Sequence, residues 1–126
     1  MSEALTVVKE AYAAFEKGDI NGLLQIVSED VDWRVVASTS LPYSNHCQKR
    51  AEVKHYFEDL LAAEEITKFE VREFIDAGSH VVVIGFVAAT IKSTGKSFES
   101  EWAHIFTIRD GMITRWQEFF DTAARL

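Results

Sequence analysis

The sequence predicts an α+β fold in which three helices come first and pack on one face of a mainly antiparallel sheet. Up to about residue 63, apolar residues recur at intervals of three and four, as on one side of a helix. From Ile66 onward apolar and polar residues alternate, and short glycine-containing segments separate the alternating runs. Helices followed by a meander of strands are typical of an α+β architecture.

Length and composition predict one domain over residues 1–126. The chain is 48% apolar and 12% aromatic, which is enough for a core that needs neither a metal nor a disulfide. The net charge of −7 argues against nucleic acid and against a membrane surface as partners. Cys47 is the only cysteine, and we find no signal-peptide pattern and no apolar run of bilayer length. We therefore expect a cytoplasmic protein.

The three predicted helices precede residue 64. The first has an apolar face formed by Leu5, Val8, Tyr12 and Phe15. Gly18 is expected to end this helix, since glycine readily adopts the left-handed conformation, and Asp19 to cap a second helix that reaches Val27. The third helix is predicted over about residues 51–63.

The predicted strands cover about 30–36, 66–75, 80–91, 97–109 and 112–121. The segment 37–47 is expected to be a loop. The last hairpin allows two registers. A two-residue turn at 110–111 pairs His104 with Gln117, whereas a three-residue loop at 109–111 pairs His104 with Trp116 and puts Glu118 on the same face. We favour the three-residue loop because it separates charged from apolar side chains better.

An aromatic pocket is predicted on the face that carries His104. We expect a flat apolar ligand to lie among Tyr12, Trp33, Tyr56, Trp102, Phe106, Trp116 and Phe120. A packed aromatic core is the alternative for these residues. His104 is suited to donate or shuttle a proton near neutral pH, and Glu118 on the same face is the candidate general base. His46 and Cys47 have no partners at ligand spacing, so we predict no metal and no cofactor.

Three segments resemble SnoaL-like proteins of the nuclear transport factor 2-like superfamily, which also holds ketosteroid isomerases and limonene epoxide hydrolases. The segments are YAAFEKGDI at 12–20, EDVDW at 29–33, and the hairpin with WAHIF at 102–106, RDG at 109–111 and FFDTA at 119–123. The resemblance implies a cone-shaped half-barrel, with the three helices closing a curved sheet. It also implies a homodimer through the outer face of the sheet.

The resemblance carries some catalytic residues over and not others. The isomerase tyrosine falls near Ala11, one position before Tyr12, and the isomerase base falls near Val35, where no carboxylate stands. The donor aspartate of the isomerases falls at His104. SnoaL-like cyclases are similar in using an aspartate together with a histidine on this hairpin, which implies Asp121 and His104.

Two functional hypotheses follow. The first is an enzyme that performs acid/base chemistry on a small hydrophobic carbonyl compound, of the isomerase, cyclase or dehydratase type. His104 would donate or shuttle the proton, with Glu118 or Asp121 as the base. The second is a non-catalytic module of the same fold that binds a ligand or dimerises.

Overall fold

A computed structural model of the protein describes residues 2–37 and 41–126. The order of the elements is α1 (Glu3–Glu16), α2 (Ile20–Leu24), β1 (Val27–Val36), β2 (His46–Cys47), α3 (Arg50–Ala63), β3 (Glu64–Ala77), β4 (His80–Ile91), β5 (Ser97–Arg109), β6 (Met112–Phe120) and a 3₁₀ helix (Thr122–Arg125). The six strands form one open sheet in the order β2-β1-β6-β5-β4-β3. Strands β1 and β6 run parallel, and the other neighbours are antiparallel.

The helical corner at the N-terminus is confirmed. Gly18 follows α1 with a φ of 73°, and the Asp19 carboxylate accepts a hydrogen bond from the backbone N–H of Gly22 at 2.9 Å, which caps α2. The second helix is shorter than predicted, because Val27 already belongs to β1 and faces the core.

The sheet carries the three helices on its inner face, as an α+β fold of this class requires. Helix α1 packs across β3 to β6, and α3 packs against β1 to β3. Two residues of β3, Thr67 and Arg72, have no partner in the register with β4 and form bulges. Bulges bend a strand, so these two give the long β3–β4 ribbon its curvature around the helices.

Two segment predictions need correction. The segment 37–47 was expected to be a loop throughout, but His46 and Cys47 form the short strand β2, which pairs with Arg34 and Trp33 of β1. The part of this prediction at 38–40 lies outside the described residues. The third strand begins at Glu64 rather than at 66, directly after α3 without a connecting loop.

Both predicted registers of the last hairpin are wrong. Asp110 and Gly111 both have positive φ, 52° and 73°, which is a two-residue turn, so the favoured three-residue loop does not form. Thr114 then forms a bulge that adds one residue to β6, so that His104 pairs with Glu118 instead of Gln117 or Trp116. The bulge shifts β6 by one residue, and the favoured grouping of side chains on the inner face is therefore correct.

Candidate functional site

A cavity of about 100 Å³ lies between the inner face of the sheet and helices α1 and α3. All seven aromatic residues named from the sequence lie in its wall: Tyr12, Trp33, Tyr56, Trp102, Phe106, Trp116 and Phe120. His104 and Glu118 also lie in the wall. The cavity is thus apolar except for a few groups, and these determine what chemistry it can perform.

The aromatic rings make flat, parallel walls. The indole of Trp102 stacks on the imidazole of His104, with centroids 4.0 Å apart and planes 17° apart. The ring of Tyr12 is nearly parallel to that imidazole, at 6°. Trp33 and Trp116 stack at 4.2 Å and 22°. These contacts join rings of the wall to one another, as in a packed aromatic core, and they hold the shape of the cavity.

Gly85 makes room for the indole of Trp102. The two residues face each other on β4 and β5, and a Cβ added to Gly85 would overlap both the Trp102 ring and the Glu70 carbonyl oxygen. The indole therefore lies directly on the β4 backbone. Its fixed position in turn supports the imidazole of His104, which stacks on it.

A hydrogen-bonded chain joins α1 to the last two strands inside this wall. The hydroxyl of Tyr12 is 2.6 Å from Nδ1 of His104, and Nε2 of His104 is 2.6 Å from Oε2 of Glu118. Only 6% of the His104 side chain and 16% of the Glu118 side chain are exposed, so water screens the contact weakly. Both ring nitrogens of His104 are thus occupied by protein groups.

The tyrosines of the cavity hold their protons firmly. Burial raises the pKa of Tyr12 well above its usual range, and the negative charge of Glu118 raises it further. Burial likewise raises the pKa of Tyr56 far above the usual value, again with Glu118 contributing. Tyr12 therefore keeps a hydroxyl hydrogen that it can donate to Nδ1 of His104, and we assign this direction, with Nε2–H donating to Glu118, from the hydrogen-bond pattern alone.

Asp121 lies outside the cavity. Its carboxylate accepts a hydrogen bond from the backbone N–H of Ala123 at 3.2 Å and caps the C-terminal 3₁₀ helix. The side chain is exposed at the point where β6 ends. The structure therefore brings together His104 and Glu118 but not Asp121.

Sequence reasoning missed three polar residues at the other end of the cavity. Tyr43 and Glu64 lie in the wall, and Arg125 of the 3₁₀ helix holds Glu64 through an ion pair with N···O of 2.7 Å. The signal for Glu64 was present, because it stands two residues before Ile66 and alternation puts both on one face. Arg125 carries no such signal, since it follows the last strand.

Within residues 2–37 and 41–126, no three His, Cys, Asp or Glu side chains come together as a metal site would need. His46 instead contacts Asp32 at 2.9 Å on the surface, and the thiol of Cys47 is buried. In the same residues, no helix is both long and apolar enough to cross a bilayer.

Known structures of similar fold cover nearly the whole chain. An NTF2-like protein from Burkholderia xenovorans LB400 is 31% identical over 97% of this chain and 92% of its own, with a TM-score of 0.87. An NTF2-like protein from Burkholderia thailandensis E264 is 26% identical over 99% and 95%, with a TM-score of 0.89. TerC, co-crystallised with polyporic acid, is 27% identical over 98% and 95%, with a TM-score of 0.86.

The family comparison agrees with these structures and with the resemblance seen in the sequence. No curated protein matches the chain significantly. The model of the SnoaL-like domain matches residues 8–116, which include α1 from Val8 onward, the whole of β5 and most of the cavity wall. The chain therefore belongs to the SnoaL-like domain family of the NTF2-like superfamily.

Proposed function

We propose that this protein catalyses proton transfer on a small, flat carbonyl compound bound in the aromatic cavity, in a reaction of the isomerase, cyclase or dehydratase type. The observation that carries the proposal is the Tyr12–His104–Glu118 chain, a continuous hydrogen-bonded path set in an apolar wall. Acid and base groups need such a path when a proton must leave one position of a ligand and return at another.

The path works as a relay with His104 in the middle. When the oxygen of Tyr12 takes a proton from the ligand, its own proton passes to Nδ1 of His104, and the proton on Nε2 passes to Glu118. No tyrosinate has to form in the resting enzyme, which agrees with the raised pKa of Tyr12. Glu118 can then return a proton to the ligand, so Tyr12 and Glu118 touch the ligand and His104 connects them. The starting tautomer of His104 is restored when water supplies one proton to Nε2 by way of Glu118 and accepts one from Tyr12, as Nδ1 returns its proton to the Tyr12 oxygen.

The ligand is proposed to be planar and largely apolar. The aromatic and apolar lining of the cavity favours a flat, largely apolar molecule. After the relay has acted, Nδ1 of His104 carries a hydrogen and donates it to the Tyr12 oxygen. The hydroxyl hydrogen of Tyr12 is then free to be donated to a carbonyl oxygen of the ligand. TerC, which is similar to this chain, was co-crystallised with polyporic acid, and this supports the proposal that the present protein takes an organic ligand.

The competing proposal is a non-catalytic binding module, and one observation favours it. Both ring nitrogens of His104 are already hydrogen-bonded, so the chain also serves to fasten α1 to the sheet. A purely structural chain would contribute to stability but would not speed proton transfer, and experiment separates the two roles.

We also propose that two copies pair through the outer face of the sheet. Val36 of β1 and Phe119 of β6 lie opposite each other in the register, and each is 40% exposed. Two large apolar side chains side by side on a sheet face are more typical of a contact surface than of a solvated one.

Exchange of ligand protons for deuterium tests the catalytic proposal without knowledge of the natural substrate. Acetophenone is incubated in deuterium oxide with the protein, and the loss of its methyl signal is followed by NMR. We expect exchange above the buffer rate for the wild type and a loss of roughly a hundredfold in Glu118→Gln. Glu101→Gln is the matched control, since Glu101 is exposed on β5. Equal rates for the wild type, Glu118→Gln and buffer would leave only the binding module.

A further inference from the structure

The ion pair between Glu64 and Arg125 is a costly feature that the proton relay does not use. The side chains are only 6% and 9% exposed, and their closest N···O distance is 2.7 Å. Removing two opposite charges from water costs about as much as their attraction returns, so a buried pair contributes little to stability by itself. Stability alone therefore does not explain why this ion pair lies in the cavity wall.

The carboxylate of Glu64 keeps hydrogen-bonding capacity in the cavity wall. Oε2 lies 2.7 Å from Nη2 of Arg125, but it makes no well-directed hydrogen bond within residues 2–37 and 41–126. A carboxylate has roughly four acceptor sites, so the ion pair leaves some of them unused. Because Glu64 lines the cavity, a donor group of a ligand bound there can use this capacity.

Arg125 holds this carboxylate in a fixed place. Its guanidinium lies 5.6 Å from the ring centroid of Phe98 and 6.0 Å from that of Tyr43, so it is packed between two aromatic faces. Arg125 itself does not line the cavity, and it acts on a ligand only by orienting Glu64. The ion pair therefore presents a rigid acceptor rather than a free cation.

Glu64 lies at a different level of the cavity from the proton relay. It pairs with Ile91 at one end of β4, whereas His104 pairs with Val83 further along the same strand. Tyr43 lies beside this ion pair, since its ring centroid is 6.0 Å from the guanidinium of Arg125. A ligand bridging the two levels would meet the proton relay at Tyr12 and a carboxylate acceptor at Glu64.

We infer that Glu64, oriented by Arg125, is a specificity residue that accepts a hydrogen bond from a hydroxyl group of the ligand, so that the preferred ligands are hydroxylated aromatic carbonyl compounds. This inference rests on the proposed function, since it assigns the carbonyl end to Tyr12. It specifies a second polar group on the ligand, a hydroxyl, whereas the relay specifies only the carbonyl group.

Matched ligands test the inference. The dissociation constants of acetophenone, para-hydroxyacetophenone and para-methoxyacetophenone, and of the three corresponding benzophenones as longer scaffolds, are measured by quenching of tryptophan fluorescence. For at least one scaffold, we expect the hydroxyl compound to bind roughly tenfold more tightly than its methoxy counterpart, because a hydrogen bond to a carboxylate is worth at least that factor. Glu64→Gln should reduce this preference severalfold. Glu65→Gln, an exposed neighbour on β3, should keep it.

A double variant keeps the test informative if Glu64→Gln does not fold. Replacing both Glu64 and Arg125 by methionine removes the two charges together, which is often neutral for stability. We expect this variant to bind acetophenone and to lose the preference for the hydroxyl compound.

The outcomes separate the inference from the proposed function. A hydroxyl preference that survives in both Glu64 variants, or is absent from the wild type while the carbonyl compounds still bind, would overturn the role of Glu64 and leave the relay intact. Failure of all six compounds to bind the wild type would overturn both.

Discussion

His104 and Glu118 face each other across the β5–β6 ladder, and their side chains meet at 2.6 Å on the inner face of the sheet. The Thr114 bulge creates this pairing, because it delays β6 by one residue after the two-residue turn at Asp110 and Gly111. Without the extra residue, Glu118 would lie on the outer face with the solvent-exposed side chains. The bulge thus decides whether the cavity contains a carboxylate next to the histidine.

Tyr12→Phe should reduce both stability and proton transfer. The substitution leaves Nδ1 of His104 buried without its partner, so we expect the free energy of unfolding to fall by about 1–3 kcal/mol. Urea denaturation measures this cost, and deuterium exchange of acetophenone measures the activity. If the variant kept wild-type exchange despite the loss of stability, Tyr12 would be structural only.

Gly85→Ala on β4 should displace the indole of Trp102 and so disturb the cavity wall. The added methyl group overlaps the indole of Trp102, and overpacking of this kind costs about 1–3 kcal/mol. In the double variant with Trp102→Phe, the loss of stability should be smaller than the sum of the losses in the two single variants, because the smaller ring relieves the overlap. Thermal unfolding of the two single variants and the double variant gives the coupling. Strict additivity would contradict the close contact between Gly85 and Trp102.

The stability of the protein should depend on pH through Glu64. Burial raises the pKa of the Glu64 carboxyl, and the nearby positive charge of Arg125 only partly opposes this. The folded state then binds the proton more tightly than the unfolded state. The stabilising contribution is therefore complete below the ordinary pKa of about 4.3 and is lost as the pH rises through the raised value.

Comparison with Glu64→Gln isolates this contribution. The free energy of unfolding of the wild type minus that of the variant should decrease as the pH is raised from about 4 to about 7. Denaturant titrations at a series of pH values measure it. A difference that grows with pH is what a dominant attraction to Arg125 would produce, and it would contradict the prediction.

Phe119→Lys should weaken the proposed homodimer. A charge at this exposed position of β6 would have to be buried beside Val36 of the same face. Analytical ultracentrifugation should show a dimer for the wild type and a shift towards monomer for the variant. Asn21→Lys, at an exposed position of α2 away from the sheet, makes the same change of charge and serves as the comparison. A wild type that sediments as a monomer at all concentrations would exclude the dimer.

Those parts of the site that depend on local sequence patterns were predicted correctly. The Gly18–Asp19 corner and the alternation through Trp102, His104 and Phe106 fix which side chains face the helices, and the structure agrees. The register of the hairpin escaped prediction, since a bulge at Thr114 leaves no mark in the alternation of a short strand. The sequence therefore predicted Glu118 on the correct face but opposite the wrong residue.

Contacts between distant segments were not accessible from the sequence. Tyr12 and His104 are separated by 92 positions, and their hydrogen bond depends on how α1 crosses the sheet. The Glu64–Arg125 pair likewise needs the 3₁₀ helix to return over the start of β3. Periodicity shows which face of a helix or strand is apolar, but it does not show which other element packs against that face.

The central claim is that Tyr12 and Glu118 act as one unit through His104. A double-mutant cycle on the deuterium-exchange rate of acetophenone tests it most directly, with Tyr12→Phe, Glu118→Gln and the double variant compared at one pH. Residues on one proton path show strongly non-additive losses. We predict that the double variant exchanges no more slowly than the slower single variant. Losses that multiply in the double variant, or no loss in either single variant, would contradict the relay.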